Sequence, residues 1–284
     1  MYTHPDYQQF QKFDLHCHTL HSDGTLSVPD LLSRANEQAI DCLSITDHDT
    51  IDAYHELSNN PDTGSLHLLP GVEISAESEH HSVHIVGLGI DIHHESLTSL
   101  LSDNQARRVE RARKIYKKLS NRHAEIGSED YQELGGGKVI CRTHIARHLV
   151  DKALVKDFNA AFKSYLNRNG GAWVRVDWPS MQEVIDSIHA AGGKAVLAHP
   201  TKYKVKGNRL KSLMTEFVES GGDAIELAYP GLNPNQRADL VRYCRSRELA
   251  VSQGSDFHHP GTSWTELGAF GTARLDLPKV WELF

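Results

Sequence analysis

The sequence predicts an α/β fold of strands wrapped by helices, interrupted by a mainly helical insertion. Three observations carry that prediction. Short apolar, strand-like runs alternate with amphipathic, helix-like runs in both halves of the chain, the pattern that builds parallel sheets or barrels. The strand-like runs end in His, Asp or Glu rather than in ordinary turn residues. The alternation stops between residues 95 and 175, which separates 1–94 and 176–284 from a stretch of different character.

The first run, FDLHCHT (13–19), places Asp14, His16 and His18 on one side of a strand and Leu15 and Cys17 on the other. SVPDLLSRANEQAI (27–40) reads as a helix capped by Ser27 with Pro29 in its first turn. CLSITDH (42–48) follows as a strand and TIDAYHELSN (50–59) as a helix, and HLLPGVEISA (67–76) and HSVHIVGLGI (81–90) read as two more strands. Residues 95–127 then read as one long helix, with AWVRV (172–176) as the next strand. After it, helix-like 181–193, 209–222 and 234–249 lead in turn into KAVLAHP (194–200), DAIELAYP (223–230) and AVSQGSDFH (250–258).

Composition bounds the function. The 284 residues are 39% hydrophobic, and no apolar run approaches the ~20 residues needed to cross a bilayer. The N-terminus lacks the pattern of a secretory signal, so a cytoplasmic location is expected. Cys17, Cys42, Cys141 and Cys244 are scattered without a CxxC pair and read as core residues. The 19 histidines are far above an ordinary share, and they are spread along the chain. A net charge of −7 argues against a large basic surface that wraps nucleic acid by phosphate neutralisation alone. The insertion nonetheless gathers Arg107, Arg108, Arg111, Arg113, Lys114, Lys117 and Lys118, either as a solvated helix face or as a lid that meets a phosphate backbone.

Two imidazoles two residues apart on a strand, His16 and His18, can share one metal, although an isolated HxH also suits polar strand-end histidines. The other strand ends decide between these readings. Asp47 and His48 close one strand, and Glu73, His84, His199, Asp256 and His258 stand in others, with Asp23 just beyond the first. In a βα barrel such ends gather at one mouth. Imidazole and carboxylate without thiolate suit Mn²⁺, Fe²⁺ or Zn²⁺, and the donors exceed what one ion can take.

In order along the chain, HCHTLHSD, TDHD, PGVEIS, HIVG, AHP and GSDFH resemble the motifs of the PHP (polymerase and histidinol phosphatase) metallohydrolases, over essentially the whole length. The resemblance implies a distorted (β/α)7 barrel carrying three divalent ions, Mn²⁺ foremost. It further implies that His16, His18, Glu73 and Asp256 hold one ion and that Asp23, His48 and His258 hold a second. Glu73 would bridge to a third held also by His84 and His199. Within the family, GGGKVICRTHIARHLV, AFKSYLNRNGGAWV, IHAAGGKAVLAHPTKY and AVSQGSDFHHPGTSW resemble the branch of 3',5'-nucleoside bisphosphate phosphatases and 5'-to-3' exoribonucleases.

The expected chemistry is phosphoester hydrolysis. Three divalent ions against three carboxylates leave a net positive mouth in an acidic protein, and a water bridging two ions loses a proton near neutral pH and attacks phosphorus in line. The expected substrates are 5'-phosphorylated RNA or short oligonucleotides and 3',5'-nucleoside bisphosphates, with no membrane and no obligate protein partner. The insertion, 95–175, would cap the mouth. At its loop-to-helix entry Arg142, His144 and Arg147 can meet a phosphate, Arg142 foremost, although Arg147 equally suits a salt bridge along its helix. Tyr203, Trp173 or Trp264 can stack on a base. His21 can orient a ligand or the substrate. His80, His81, His148 and His259 read as non-ligands. Two other readings stand: a histidinol-phosphate-type phosphatase, against which the basic insertion counts, and a non-catalytic metal-binding accessory module, against which the full donor set counts.

Overall fold

The computed structural model describes residues 7–59, 63–79, 81–203, 205–261, 265–270 and 276–284. Strand β1 (Phe13–Cys17) is followed by α1 (Val28–Glu37), β2 (Cys42–Ile45), α2 (Asp52–Asn59) and the short β3 (His67–Leu68), and the three strands form one parallel sheet. Helix α1 starts where its sequence dictates. The Ser27 hydroxyl accepts the Asp30 N–H, Pro29 sits in the first turn, and Leu31, Leu32 and Ala35 are buried.

A second sheet contains, in spatial order, β4 (Gly71–Glu77), β5 (Ser82–Leu88), β6 (Lys194–Leu197), β7 (Ala224–Ala228) and β8 (Ala250–Gln253). Helices α6 (Met181–Ala190), α7 (Asn208–Glu219) and α8 (Pro234–Ser246) precede β6, β7 and β8, and the crossovers keep those three strands parallel. Strand β5 is antiparallel to both β4 and β6. Only residues 78–81 separate β4 from β5, too few for the crossover that a parallel neighbour needs.

The fold is therefore mixed α/β, and its sheet topology does not confirm the expected (β/α)7 barrel. The two sheets meet through single bridges, Cys17 with Phe257 and His48 with Glu73, rather than through continuous ladders. Both bridges lie among the motif residues. The reversal of β5 also puts His84 near the start of its strand, opposite Ser75 at the far end of β4. A donor from a reversed strand thus reaches the end of the sheet at which its parallel neighbours finish.

Helix α3 (Glu95–Ser120) opens the central stretch and links two cores. Leu97 and Leu101 pack in the main core, whereas Ala112, Ile115, Tyr116 and Leu119 join Ile145, Leu149 and Leu166 in a separate cluster. Ile145 and Leu149 belong to α4 (Arg142–Asp151), which is followed by the single-turn α5 (Phe158–Ala161). The strand expected at AWVRV is absent: residues 172–176 pair with no strand. The Trp173 carbonyl is taken by the Lys118 ammonium at 2.6 Å, and Arg175 and Asp177 stand in solvent. The four cysteines are buried and free, as core residues should be. No helix among the described residues is long and apolar enough to cross a membrane.

Candidate metal centre

The nine expected donors converge. Their ligand atoms fall into four overlapping groups, each with all members within 4.8 Å of one another: His18, Asp23, His48 and His258; His16, His199 and Asp256; His16, His18 and Glu73; and His48, Glu73 and His84. Glu73 stands at the middle. Its Oε2 lies 3.4 Å from the Nε2 atoms of His16 and His18 and 2.9 Å from His48 Nδ1. Its Oε1 lies 2.9 Å from His84 Nδ1 and 3.0 Å from His199 Nε2. One carboxylate thus divides its two oxygens between two sets of imidazoles.

Local backbone geometry builds this convergence. A bulge between Asp14 and Cys17 interrupts the β1–β2 register, and Gly254 lets β8 pass so close that a Cβ there would stand 2.3 Å from His16 Cβ. Three non-glycine residues in or beside the cluster take left-handed backbone conformations: Asp49 (φ 50°), His199 (φ 30°) and Asp256 (φ 51°). Strain of that kind persists where neighbouring contacts over-determine it.

The contacts are plain. Asp49 accepts the Ser75 N–H at 2.8 Å and the Arg108 guanidinium at 2.6 Å. The His199 N–H is held by Glu226 at 2.6 Å, and the Asp256 N–H by the His16 carbonyl at 2.8 Å. Asp47, expected at a strand end, lies just beyond β2 and is no member of the donor groups. It accepts the Thr19 N–H at 2.7 Å and the Ser22 hydroxyl at 2.6 Å, fixing the turn that carries Asp23.

The electrostatics are those of facing ligand atoms. Burial opposes ionisation of Glu73, but His84, His48 and His16 outweigh it and hold the carboxyl well below the usual range. Asp23 is depressed in the same way by His258 and His48, and Asp256 by Lys202 and His16. Burial also works against charge on the imidazoles. His48 is pushed down to about 4, whereas Asp23 overrides burial at His258 and lifts it to about 10.

Several donor atoms are buried without a hydrogen-bond partner among the described residues: His16 Nε2, His18 Nε2, Asp23 Oδ1, His48 Nδ1, Glu73 Oε2 and His84 Nδ1. Nitrogen and oxygen atoms that approach closely without hydrogen-bond geometry, as His48 Nδ1 and Glu73 Oε2 do, are arranged to share a cation. The donor set therefore fits divalent metal. The side chains of His84 and His258 remain 28% and 27% exposed, which marks the side open to a substrate.

A second layer holds the donors, and sequence reading missed most of it. Glu226, buried in β7, lies 2.6 Å from His16 Nδ1 as well as holding the His199 N–H. Its only sequence signal is a carboxylate in the apolar run AIELA. Lys202 donates to Asp256 at 2.5 Å, and Thr143 to Asp23 at 2.9 Å.

The expected substrate residues separate. Arg142 opens α4 with an exposed side chain whose guanidinium sits 5.9 Å from the Phe162 ring. Arg147 leans on Phe158, at 5.9 Å. His144 Nδ1 accepts the Cys141 N–H at 3.0 Å as part of the α4 cap, and the ring also bonds the Ser22 backbone. The Tyr203 hydroxyl is committed to the backbone, donating to the Ala198 carbonyl at 2.8 Å and accepting the His84 N–H at 3.0 Å. His21 Nε2 lies 2.7 Å from a Glu56 carboxylate oxygen rather than in any of the donor groups. Of the histidines read as non-ligands, His81, His148 and His259 stand outside those groups. His80 and Trp264 lie outside the described residues.

A family model described as the PHP domain matches residues 14–196. The chain is 40% identical over 276 residues to the 5'-3' exoribonuclease Rnm of Escherichia coli K12, covering 96% of this chain and 93% of that protein. It is 34% identical over 256 residues to the 3',5'-nucleoside bisphosphate phosphatase of Chromobacterium violaceum, covering 90% of each. Among solved structures it superposes on an amidohydrolase from Chromobacterium violaceum, with bound sulfate and no metal, at a TM-score of 0.85 and 32% identity, covering 96% of this chain and 95% of that one.

Proposed function

This chain belongs to the PHP domain family, and from that premise we propose that it hydrolyses phosphoesters on nucleotides that carry a 5'-phosphate. It acts as a 5'-to-3' exoribonuclease that releases nucleoside 5'-monophosphates, and as a 3'-phosphatase on 3',5'-nucleoside bisphosphates. The two activities share one reaction, because each breaks the P–O bond on the 3' side of a nucleotide held by its 5'-phosphate.

The observation that carries this reading is the division of Glu73, whose two oxygens face His16, His18 and His48 on one side and His84 and His199 on the other. We assign His16, His18, Glu73 and Asp256 to one divalent ion, Asp23, His48 and His258 to a second, and Glu73, His84 and His199 to a third. Such ions, Mn²⁺ foremost by the family resemblance, with Fe²⁺ and Zn²⁺ equally compatible with these nitrogen and oxygen donors, would supply charge to the phosphoryl oxygens and activate water.

The protein's own side chains set the geometry. Glu226 fixes the ring of His16, Thr143 fixes the Asp23 carboxylate, and Lys202 holds the outer oxygen of Asp256. The segment 95–175 forms a cap over the mouth, and within it Arg142 receives the 5'-phosphate, with His144 and Arg147 beside it on α4. Tyr203 acts as a brace for His84 through its backbone bonds rather than as a stacking surface. His21, paired with Glu56, holds the edge of the mouth.

The deciding experiment is a time course with manganese on 5'-phosphorylated RNA, 5'-hydroxyl RNA and a 3',5'-bisphosphate nucleotide. Nucleoside 5'-monophosphate should accumulate from the first and third, and slowly from the second. Release of phosphate from histidinol phosphate at a higher kcat/KM than from any nucleotide would sink the reading.

A further inference from the structure

Beyond the metal centre, the cap carries a groove of about 460 Å³ that no function yet described uses. One wall is the C-terminal half of α3, with Lys114, Lys117, Lys118 and Asn121; the other is the irregular segment around Trp173 and Arg175. The bond from Lys118 to the Trp173 carbonyl ties the walls together. In a chain whose net charge is −7, four cations line this groove and no carboxylate does. Lys114 shares Glu110 with Arg113, and Arg175 pairs loosely with Asp177 and Glu77, but Lys117 has no ionic partner among the described residues.

The groove and the mouth share one helix, α3. Arg108, whose guanidinium bonds Asp49 and Ser75, marks where α3 passes the centre, and Lys118 stands ten residues further along, roughly 15 Å at helical rise. Between them Arg111, nearly buried and without a hydrogen bond or ion pair among the described residues, lies 5.5 Å from the Trp178 ring. Residues 173–178 run from that ring back to the groove. Arg142, 5.9 Å from the Phe162 ring, is near enough to Arg111 for its charge to oppose that of Arg111, so the cations of the cap run from the head of α4 along α3 towards the lysines.

We propose that this groove is a second RNA-binding surface, which holds the sugar-phosphate backbone of single-stranded RNA on the 3' side of the nucleotide being cut, with Trp173 as a base-stacking platform. Lysines spaced along a helix beside an aromatic ring are the combination that binds single strands without reading sequence. A 3',5'-bisphosphate nucleotide is too short to reach it, so the surface distinguishes polymer from mononucleotide. The proposal rests on the exoribonuclease reading above for its substrate.

The test pairs two measurements on the intact protein. Binding of a fluorescent eight-nucleotide 5'-phosphorylated RNA is followed by anisotropy after metal removal, and hydrolysis of a 3',5'-bisphosphate nucleotide is followed with manganese. For Lys114→Ala combined with Lys117→Ala, the affinity for RNA should fall, and the slope of log affinity against log salt should shrink by about 1.4, at about 0.7 for each lost phosphate contact to a single strand.

Trp173→Leu should weaken binding by about fivefold or more, as a lost base stack does. Bisphosphate hydrolysis should stay unchanged in both variants. Unchanged RNA affinity would overturn the proposal, and so would an equal loss on RNA and bisphosphate, because the groove would then act on the centre itself. A wild-type protein that hydrolysed neither substrate would refute the phosphoesterase reading, while the anisotropy result on metal-free protein would still decide the groove.

Discussion

Thr143, in the first turn of α4, donates its hydroxyl to Asp23 Oδ2 at 2.9 Å, while Asp23 Oδ1 faces His48 and His258. The central helical segment thereby touches the centre through a carboxylate with one oxygen for each partner. A hydrogen bond to a carboxylate is worth about 1.5–3 kcal/mol, and partners of this kind orient a metal ligand.

Thr143→Val should therefore lower the metal content of the Asp23, His48 and His258 group, with about a 10- to 100-fold loss of affinity. Thr143→Ser should restore it. Metal analysis after dialysis at a fixed free-metal concentration reads the effect. Full occupancy in the valine variant would make the contact incidental.

Glu226 holds both the His16 ring and the His199 backbone. Glu226→Gln keeps the volume and the acceptor for the N–H but removes the charge that raises the basicity of His16. The expected result is about a 10- to 100-fold loss in affinity for the ion at His16, with little change in melting temperature. A large fall in melting temperature without a change in metal content would mark Glu226 as a folding residue only.

These two residues show where the sequence stopped being legible. The convergence of the nine expected donors was legible because each lies in a short motif of His, Asp or Glu within or just beyond a strand, and the fold only has to bring those motifs together. Glu226 is one carboxylate in an apolar strand, and nothing local reveals that its partner lies 210 positions away. Thr143 was hidden beside the more conspicuous Arg142. The direction of β5, on which the sheet topology leaves the barrel unconfirmed, was not legible because strand-like character does not encode direction; only the brevity of 78–81 does. AWVRV has strand-forming residues, yet its backbone is drawn to Lys118, which shows tertiary context overriding propensity.

Arg108 latches α3 to the mouth through Asp49, Ser75 and Cys141. Arg108→Met leaves Asp49 buried without its countercharge and should destabilise the fold by about 3–5 kcal/mol. Asp49→Asn in the same chain should recover part of that loss, since Asn tolerates the left-handed backbone at this position. The pH dependence has a definite sign. Burial raises the Asp49 pKa, but Arg108 and Ser75 outweigh it and hold it below its ordinary value. Its contribution is complete above the unfolded value of about 3.9 and is lost as pH falls through the folded one. Denaturant melts should therefore show the deficit of the methionine variant at pH 7 and a shrinking deficit below about pH 4.

If His258 holds the proposed ion with Asp23 and His48, it should set the pH dependence of metal loading. Asp23 overrides the effect of burial and raises its pKa to about 10, so without metal the ring is charged at pH 7.5. That pair stabilises the metal-free fold fully below the unfolded value of about 6.5, and the contribution disappears as pH rises through about 10. A metal ligand must be neutral, so loading at pH 7.5 releases this proton. Calorimetry in buffers of different ionisation enthalpy should show proton release, and affinity should rise with pH until about 10. In His258→Asn the release should fall by about one proton. An unchanged release would place the titrating proton elsewhere.

Arg142 carries the prediction about direction. Its guanidinium stands exposed at the head of α4, one residue from the Thr143 contact to Asp23, so a phosphate that it holds lies next to the metal donors without being among them. On the proposed role of Arg142, a 5'-phosphate bound there would leave the next phosphate for the centre, and cutting would begin at the 5' end. Arg142→Ala removes a charge-assisted contact worth about 1.5–3 kcal/mol, and KM for 5'-phosphorylated RNA should rise by about 10- to 150-fold with kcat largely kept. A 5'-hydroxyl RNA, which already lacks that contact, should be cut slowly by wild type and barely more slowly by the variant. On short RNA labelled at the 5' end, the first labelled product should be a mononucleotide, and a 3'-labelled copy should shorten through a ladder. Gradual shortening of the 5'-labelled strand, or an equal loss in the alanine variant on both kinds of RNA, would remove Arg142 from the 5' end and make it structural or part of the reaction itself.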